Sequence, residues 1–171
     1  ESKWGIFFNM ENSGVKIIRG ALAARGRRFT IVVSRFNPRV TSRLLLGAVD
    51  ALRRCGTPVS RIRVAWTPGA YELPQAALRA ARGKPKPDAI ICLGAVIRGE
   101  TPHFEYICAE AARGIGQAAL DTGVPIAFGV LTANSVKQAL ARAGGKAGNK
   151  GWDAALTAVE MADLFAKMGR V

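Results

Sequence analysis

Four runs of apolar, often β-branched residues, each followed by a loop and then by apolar residues at helical spacing, constrain this chain more than any other feature. Phe29–Ser34 is the first run, and after it Val40, Leu44, Ala48, Ala51, Leu52 and Cys55 recur at helical spacing until Gly56 and Pro58 stop the pattern. Arg61–Trp66 alternates basic and apolar side chains and leads through Thr67-Pro68-Gly69-Ala70 into a helix from Tyr71 to about Arg82. Asp88–Leu93 reads as a strand buried on both faces, with a helix running to about Leu120. Val124–Val130 is the fourth run, and a helix over about 134–143 follows it. Beyond the glycine-rich Gly144–Gly151, the stripe Ala154, Ala158, Met161, Phe165 and Met168 marks a last helix whose apolar side belongs to core or subunit packing. Strands alternating with helices at this density predict a parallel sheet of four strands covered on both faces, an α/β chain folded as a three-layer α/β/α sandwich. The repeated segments share no side-chain signature, so the repetition is that of a sheet and not of a solenoid. Ahead of the sheet, Val15–Gly20 reads as a short edge strand and residues 21–28 as a basic linker.

A length of 171 residues suits one domain with a sizeable core. Cys55, Cys92 and Cys108 are odd in number, lie in apolar patterns and show no C-x-x-C spacing, which predicts reduced thiols and a reducing, cytoplasmic setting. No run is long enough to cross a membrane, and the Trp4–Met10 stretch is flanked by Glu1 and Glu11, which argues against a secretory leader. The formal charge is +13, and it is unevenly spread, with eleven Lys/Arg against two acids in residues 31–87 but eight against eight in residues 88–171. Such a surface attracts polyanions, yet no zinc-ligand spacing, no interleaved aromatics and no RNA-binding sheet motif accompany it. A solvated basic face, without specific nucleic-acid recognition, is the expectation.

Three strand ends carry residues that a sheet does not require: Arg35-Phe36-Asn37, Pro68 to Glu72, and Arg98 to His103. In a parallel sheet these loops share one edge and converge on one cleft. Phe36 in a turn is suited either to stacking on a flat heterocycle or to packing on its own domain. Glu72, the only acid between Asp50 and Asp88, either complements a helix dipole or accepts hydrogen bonds from substrate hydroxyls. Gly99-Glu100-Thr101 offers backbone N–H groups at a helix start, where phosphate binds, and Thr101 with Pro102 is placed to begin that helix. His103, the single histidine, falls in its first turn, where the dipole disfavours imidazolium and a neutral ring can take or give a proton. Gly144–Gly151 fails the phosphate-loop template because no Ser or Thr follows Lys150, and Gly114-Ile115-Gly116 lacks the third glycine of a dinucleotide fingerprint. One histidine without a carboxylate pair at ligand spacing predicts no metal site.

Taken together, Ser34-Arg35-Phe36-Asn37, Pro68 to Pro74, Gly94 to Tyr106, Phe128 to Thr132 and Arg142 to Gly151 resemble the lumazine synthase family, over a span from about Val15 to Phe165. The resemblance implies a flavodoxin-like fold and a cofactor-free transferase of riboflavin biosynthesis. It would condense 5-amino-6-ribitylaminouracil with 3,4-dihydroxy-2-butanone 4-phosphate to 6,7-dimethyl-8-ribityllumazine, through an imine, phosphate loss and ring closure. Carried over position by position, it implies that Phe36 stacks on the pyrimidine and that Ala70, Tyr71 and Glu72 hold the ribityl chain. Val96 and Ile97 would meet the ring edge through their backbone, and Gly99, Glu100 and Thr101, with Arg142, would hold the phosphate. His103 would move protons, with Lys150 and Asp153 in support. It also implies that Phe128 and Arg142 reach the cleft from a neighbouring subunit, in pentamers that assemble by twelves into an icosahedral cage, with riboflavin synthase as a further partner. The cage is favoured because Gly144–Gly151 carries no insertion of the kind associated with members that stop at pentamers. Val15–Arg19 would pair with a neighbour, leaving residues 1–14 as an N-terminal extension and 15–171 as the domain. A cage-forming or flavin- or lumazine-binding relative with little synthase activity is the alternative.

Overall fold

The computed structural model describes residues 14–169. Six strands and five helices follow one another, beginning with β1 (Phe29–Ser34), α1 (Pro38–Arg54), β2 (Ile62–Thr67) and α2 (Leu73–Ala81). They continue with β3 (Ala89–Ile97), α3 (His103–Thr122), β4 (Ile126–Ala133) and α4 (Val136–Ala141), and end with the short strands β5 (Ala143–Gly145) and β6 (Gly148–Asn149) and with α5 (Lys150–Met168). β1 to β4 form one parallel sheet in the order β2-β1-β3-β4, while β5 and β6 make a small antiparallel ribbon. The predicted α/β/α sandwich with four parallel strands is therefore the observed architecture, doubly wound and with helices on both faces.

Alternation along the strands divides the core. Phe29, Ile31 and Val33 of β1, with Ile91 and Leu93 of β3, face α1 and α5, whereas Val32, Ile90 and Cys92 face α2 and α3. β1 and the first seven residues of β3 are buried throughout, as expected of central parallel strands that read as continuous apolar runs. Each fully buried Ile, Leu or Val contributes about 1.5–3 kcal/mol of burial free energy, so the two central strands anchor the molecule. Burial pushes the Cys92 thiol up to about 12, which makes it an inert core group.

Helix α5 approaches α1 through a pair of glycines. A Cβ on Gly151 would sit 2.0 Å from the Leu44 carbonyl oxygen, and one on Gly47 would sit 2.4 Å from the Asn149 side chain. Asn149 caps α5, its Oδ1 accepting from the N–H groups of Gly151 and Trp152 at 2.8 and 3.3 Å, while its Nδ2 donates to the Arg43 carbonyl at 2.9 Å. The glycine-rich stretch thus forms a ribbon and a helix start that fix how two helices cross.

Several boundaries differ from expectation. β3 runs on to Ile97 and β4 to Ala133 because the two pair through Ile97 and Ala133, which a strand ending at Leu93 would forgo. α2 begins at Leu73, so Glu72 is its N-cap residue and not part of the first turn. α3 begins at His103 with Pro102 as N-cap, and Thr101 supplies no capping hydrogen bond. Val15–Gly20 carries no strand within this chain. It lies instead against α5, where Lys167 Nζ donates to the Arg19 carbonyl at 2.8 Å and the Ala21 N–H to Asp163 Oδ2 at 2.8 Å. The extension assigned to residues 1–14 lies outside the described residues except for Gly14.

Candidate active site

Winding reverses between β1 and β3. The chain leaves β1 towards β2 beneath α1, and leaves β3 towards β4 beneath α3 on the opposite face, so a crevice opens outside the carboxyl ends of these neighbours. A cavity of about 560 Å³ occupies it. Phe36, Ala70, Tyr71 and Glu72 line one part, Val96, Ile97 and Gly99 the next, and Thr101 and His103 the remainder. Those nine expected site residues come from three segments far apart in sequence, the loops after β1 and β2 and the end of β3 with the loop beyond it.

Phe36 is held by its neighbours. Arg35 and Phe36 continue the β1–β2 ladder beyond the strands, their N–H groups donating to the carbonyls of Thr67 at 2.8 Å and Pro68 at 3.2 Å. Asn37 then turns into the left-handed region at φ 60 and ψ 53, a conformation Asn tolerates better than most residues, and its Nδ2 donates to the Ala95 carbonyl of β3 at 2.8 Å. The Phe36 ring is left 70% exposed, which suits a platform for a planar ligand better than a packed side chain.

Glu72 closes the second loop on itself. Its Oε2 accepts from the Gly69 N–H at 2.9 Å, and Thr67 Oγ1 donates to the Gly69 carbonyl at 2.9 Å. Oε1 accepts no hydrogen bond from the described residues and remains available to a hydroxyl. Ala70 is buried and Tyr71 exposed, so the loop presents one aromatic face and one carboxylate oxygen to the cavity.

His103 opens α3 as an exposed residue, and its imidazole has no hydrogen bond or ion pair among the described residues. The Glu105 N–H donates to the Pro102 carbonyl at 3.1 Å, while the N–H groups of His103 and Phe104 have no acceptor among the described residues and lie beside Gly99 and Thr101, a setting favourable to an anion. Glu100 is exposed and lies outside the lining. Arg98 braces this corner. Its guanidinium pairs with Glu105, lies 4.3 Å from the centroid of the Phe104 ring, and donates through Nε to Asn134 Oδ1 at 3.1 Å. The Arg98 hydrogen bond is the main reason that the Glu105 carboxyl sits below its usual range.

The remaining expected residues are elsewhere in the chain. Phe128, Arg142, Lys150 and Asp153 line a second cavity of about 310 Å³, bounded by β4 and the start of α5. Phe128 is 46% exposed, Arg142 ends α4 with Nη1 donating to the Gln138 carbonyl at 3.2 Å, and Lys150 Nζ is 2.8 Å from Asp153 Oδ2. A single chain therefore carries two separate groups of candidate residues and does not close them around one ligand.

Asn37, Phe104, Ile107 and Arg98 also shape the main cleft or its rim, and the sequence reading gave them no role. Asn before Pro at a helix start was a usable signal for Asn37, and the i, i+4 spacing from His103 for Ile107. No three His, Cys, Asp or Glu residues stand together as a metal set among the described residues. No described helix is long and apolar enough to cross a membrane.

Comparison with known proteins bears on the same residues. The 6,7-dimethyl-8-ribityllumazine synthase family model matches residues 26–166. A protein of that name from Syntrophus aciditrophicus (strain SB) is 58% identical over 149 residues, which cover 87% of this chain and 96% of the relative. Proteins of the same name from Desulfatibacillum aliphaticivorans and Chlorobium luteolum (strain DSM 273 / BCRC 81028 / 2530) are each 54% identical, covering 87% and 90% of this chain and 96% and 99% of the respective relatives. With a match this long, at this identity, spanning all three loops of the cleft, the chain belongs to the 6,7-dimethyl-8-ribityllumazine synthase family.

Proposed function

We propose that the chain makes 6,7-dimethyl-8-ribityllumazine in riboflavin biosynthesis, condensing 5-amino-6-ribitylaminouracil with 3,4-dihydroxy-2-butanone 4-phosphate and releasing phosphate. One observation carries the reading: an exposed aromatic ring, a carboxylate with a free oxygen, and an unpaired imidazole beside a helix start line one cavity at the carboxyl edge of the sheet. Each group answers one demand of the two substrates. The Phe36 ring stacks on the pyrimidine, and the backbone of Val96 and Ile97 meets its edge. Ala70, Tyr71 and Glu72 receive the ribityl chain, whose hydroxyls donate to the free Glu72 oxygen. Gly99, Glu100 and Thr101 turn backbone N–H groups towards the phosphate.

In the chemistry, an amine nitrogen attacks the ketone carbon and water leaves as the imine forms. Removal of the C3 proton then expels the phosphate with its bridging oxygen, and the enol so formed takes a proton at C4 to become a methyl ketone. The second nitrogen closes the ring on that ketone with loss of another water. Every step moves a proton, and His103, whose imidazole has no partner among the described residues, carries it. Two carbonyl C=O bonds give way to C–N bonds and the C–O bond to phosphate gives way to C–H, with no net oxidation or reduction, so the reaction requires no cofactor.

Arg142, Phe128, Lys150 and Asp153 belong to the reading as the neighbour's half of the site. Their grouping in a second cavity supports an active site completed at a subunit contact. Arg142 supplies the cation for the leaving phosphate, Phe128 covers the ring, and the Lys150–Asp153 pair supports the loop between them. Pentamers follow, and twelve of them form a cage that takes riboflavin synthase as a partner; the uninterrupted Gly144–Gly151 stretch between α4 and α5 supports the larger form. The absence of regular structure at residues 15–20, together with β2 standing at a sheet edge, supports strand pairing between neighbours. A cytoplasmic setting fits three free thiols.

Steady-state kinetics test the assignment. His103→Ala lowers kcat by about 10²–10⁴ with little change in KM, whereas Arg142→Ala raises KM for the phosphate-bearing substrate more than it lowers kcat. Full turnover in His103→Ala, or no lumazine product from the unaltered protein, removes the reading.

A further inference from the structure

Parallel winding puts the starts of strands and the ends of helices on one rim, opposite the cleft. On that rim this chain concentrates cations. Arg25 and Arg28 precede β1, Arg53 ends α1, and Arg82, Lys84 and Lys86 follow α2. All six are exposed, and none has an ion-pair partner among the described residues. Three neighbouring cations are engaged, Arg27 with Asp163, Arg54 with Asp50 and Arg61 with the Gly26 carbonyl. The three segments are stitched together. The Ala24 N–H donates to the Cys55 carbonyl at 2.9 Å, joining Arg25 to the end of α1. Arg28 and Asp88 exchange hydrogen bonds, the Arg28 N–H donating to Asp88 Oδ2 at 2.7 Å and the Asp88 N–H to the Arg28 carbonyl at 2.8 Å, which fixes the lysine loop beside Arg28. Asp88 is the only acid in residues 24–28, 52–56 and 82–88.

We infer that this rim is a second binding surface, for the phosphodiester backbone of nucleic acid held without regard to base sequence. Unpaired cations spread over three loops repel one another, and they neutralise an extended polyanion better than a compact ligand. Residues 24–28, 52–56 and 82–88 contain no aromatic side chain on which a base could stack, so the rim has no means of reading sequence. An acidic peptide is the poorer match. Docked peptides require apolar anchors, and here Ala24, Leu52 and Pro87 are buried and Cys55 is half-buried. Four of the six cations are arginines, whose forked donors match phosphate oxygens in pairs. The substrate phosphate at the opposite edge makes no demand on this charge, so the surface is independent of the proposed reaction.

Fluorescence polarisation of a labelled oligouridylate about 20 nucleotides long, with the assembled full-length protein, tests the inference. If all six cations engage, affinity falls by roughly a hundredfold or more between about 50 and 200 mM salt, with a logarithmic slope near −4. The triple variant Arg28→Glu/Lys84→Glu/Lys86→Glu loses this binding while melting temperature and lumazine turnover stay unchanged. The charge-matched variant Arg113→Glu/Lys137→Glu/Lys146→Glu, altered elsewhere on the surface, keeps it. Equal loss in both variants means net charge and not the rim is responsible, and overturns the inference. Absence of binding at the lower salt overturns it too, as does tighter binding of polyglutamate than of the oligonucleotide, which would assign the rim to an acidic protein.

Discussion

Asn37 is the only non-glycine residue with positive φ among those described, and it stands directly after the aromatic ring that the cavity presents. Its side chain joins the β1 loop to the β3 carbonyl of Ala95, so the local backbone conformation and the placement of Phe36 are one device. Arg98 does the same for the third loop, joining the end of β3 to α3 through Glu105 and to the β4–α4 loop through Asn134. Its removal has a signed consequence. Arg98 favours the charged form of Glu105, so in Arg98→Met the Glu105 carboxyl rises towards its ordinary range, an upward shift that carbon-detected NMR titration reads directly. Because the folded-state value is depressed, whatever stability Glu105 contributes is present above its unfolded pKa and lost as pH falls through the folded value; Arg98→Met flattens that acid limb. The same variant loosens the His103 corner, and kcat falls by roughly tenfold with KM for the pyrimidine substrate little changed. His103, Phe36 and Glu72 were legible in the sequence because residue type and loop position both single them out. Arg98 was not, because its partners become neighbours only when α3 folds back beside the end of β3.

At the scale of elements, the strands were legible and their ends were less so. Apolar runs mark where β1 and β3 are buried, but the last residues of β3 and β4 are strands only by virtue of pairing with each other. Short apolar stretches with polar neighbours carry no such information on their own. Gly144–Gly151 is a second case. Composition identifies it as irregular, whereas its use depends on Leu44, a hundred residues earlier in the chain, approaching Gly151. Gly151→Ala therefore acts at the crossing of α1 and α5. A methyl group 2.0 Å from a backbone oxygen forces the helices apart, which costs about 1–3 kcal/mol or more in denaturant unfolding, although alanine is the better helix former. Gly116→Ala on α3, where an added Cβ meets nothing within 4 Å, is the matched control and is neutral or slightly stabilising.

The whole molecule is polarised. One rim of the sheet holds the cleft and the opposite rim holds exposed arginines and lysines, a division that charge counts along the sequence registered only as an excess in the first half. Position on a rim depends on winding, which composition cannot report. The two cavities are the other property of the whole: the sequence reading assigned Phe128 and Arg142 to a neighbour's cleft, and the folded chain keeps them, with Lys150 and Asp153, apart from the main cleft. If neighbouring subunits complete each other, mixed assembly of His103→Ala and Arg142→Ala chains has a numerical outcome. Each protein alone is impaired at every site, but with equal, random mixing about a quarter of the contacts join an intact imidazole to an intact guanidinium. Renaturing the two together and measuring lumazine formation should recover near that fraction of normal activity, and no recovery would place both groups in one subunit's site. Seen genetically, a cell carrying both defective alleles would grow without added riboflavin, although neither allele alone supports growth.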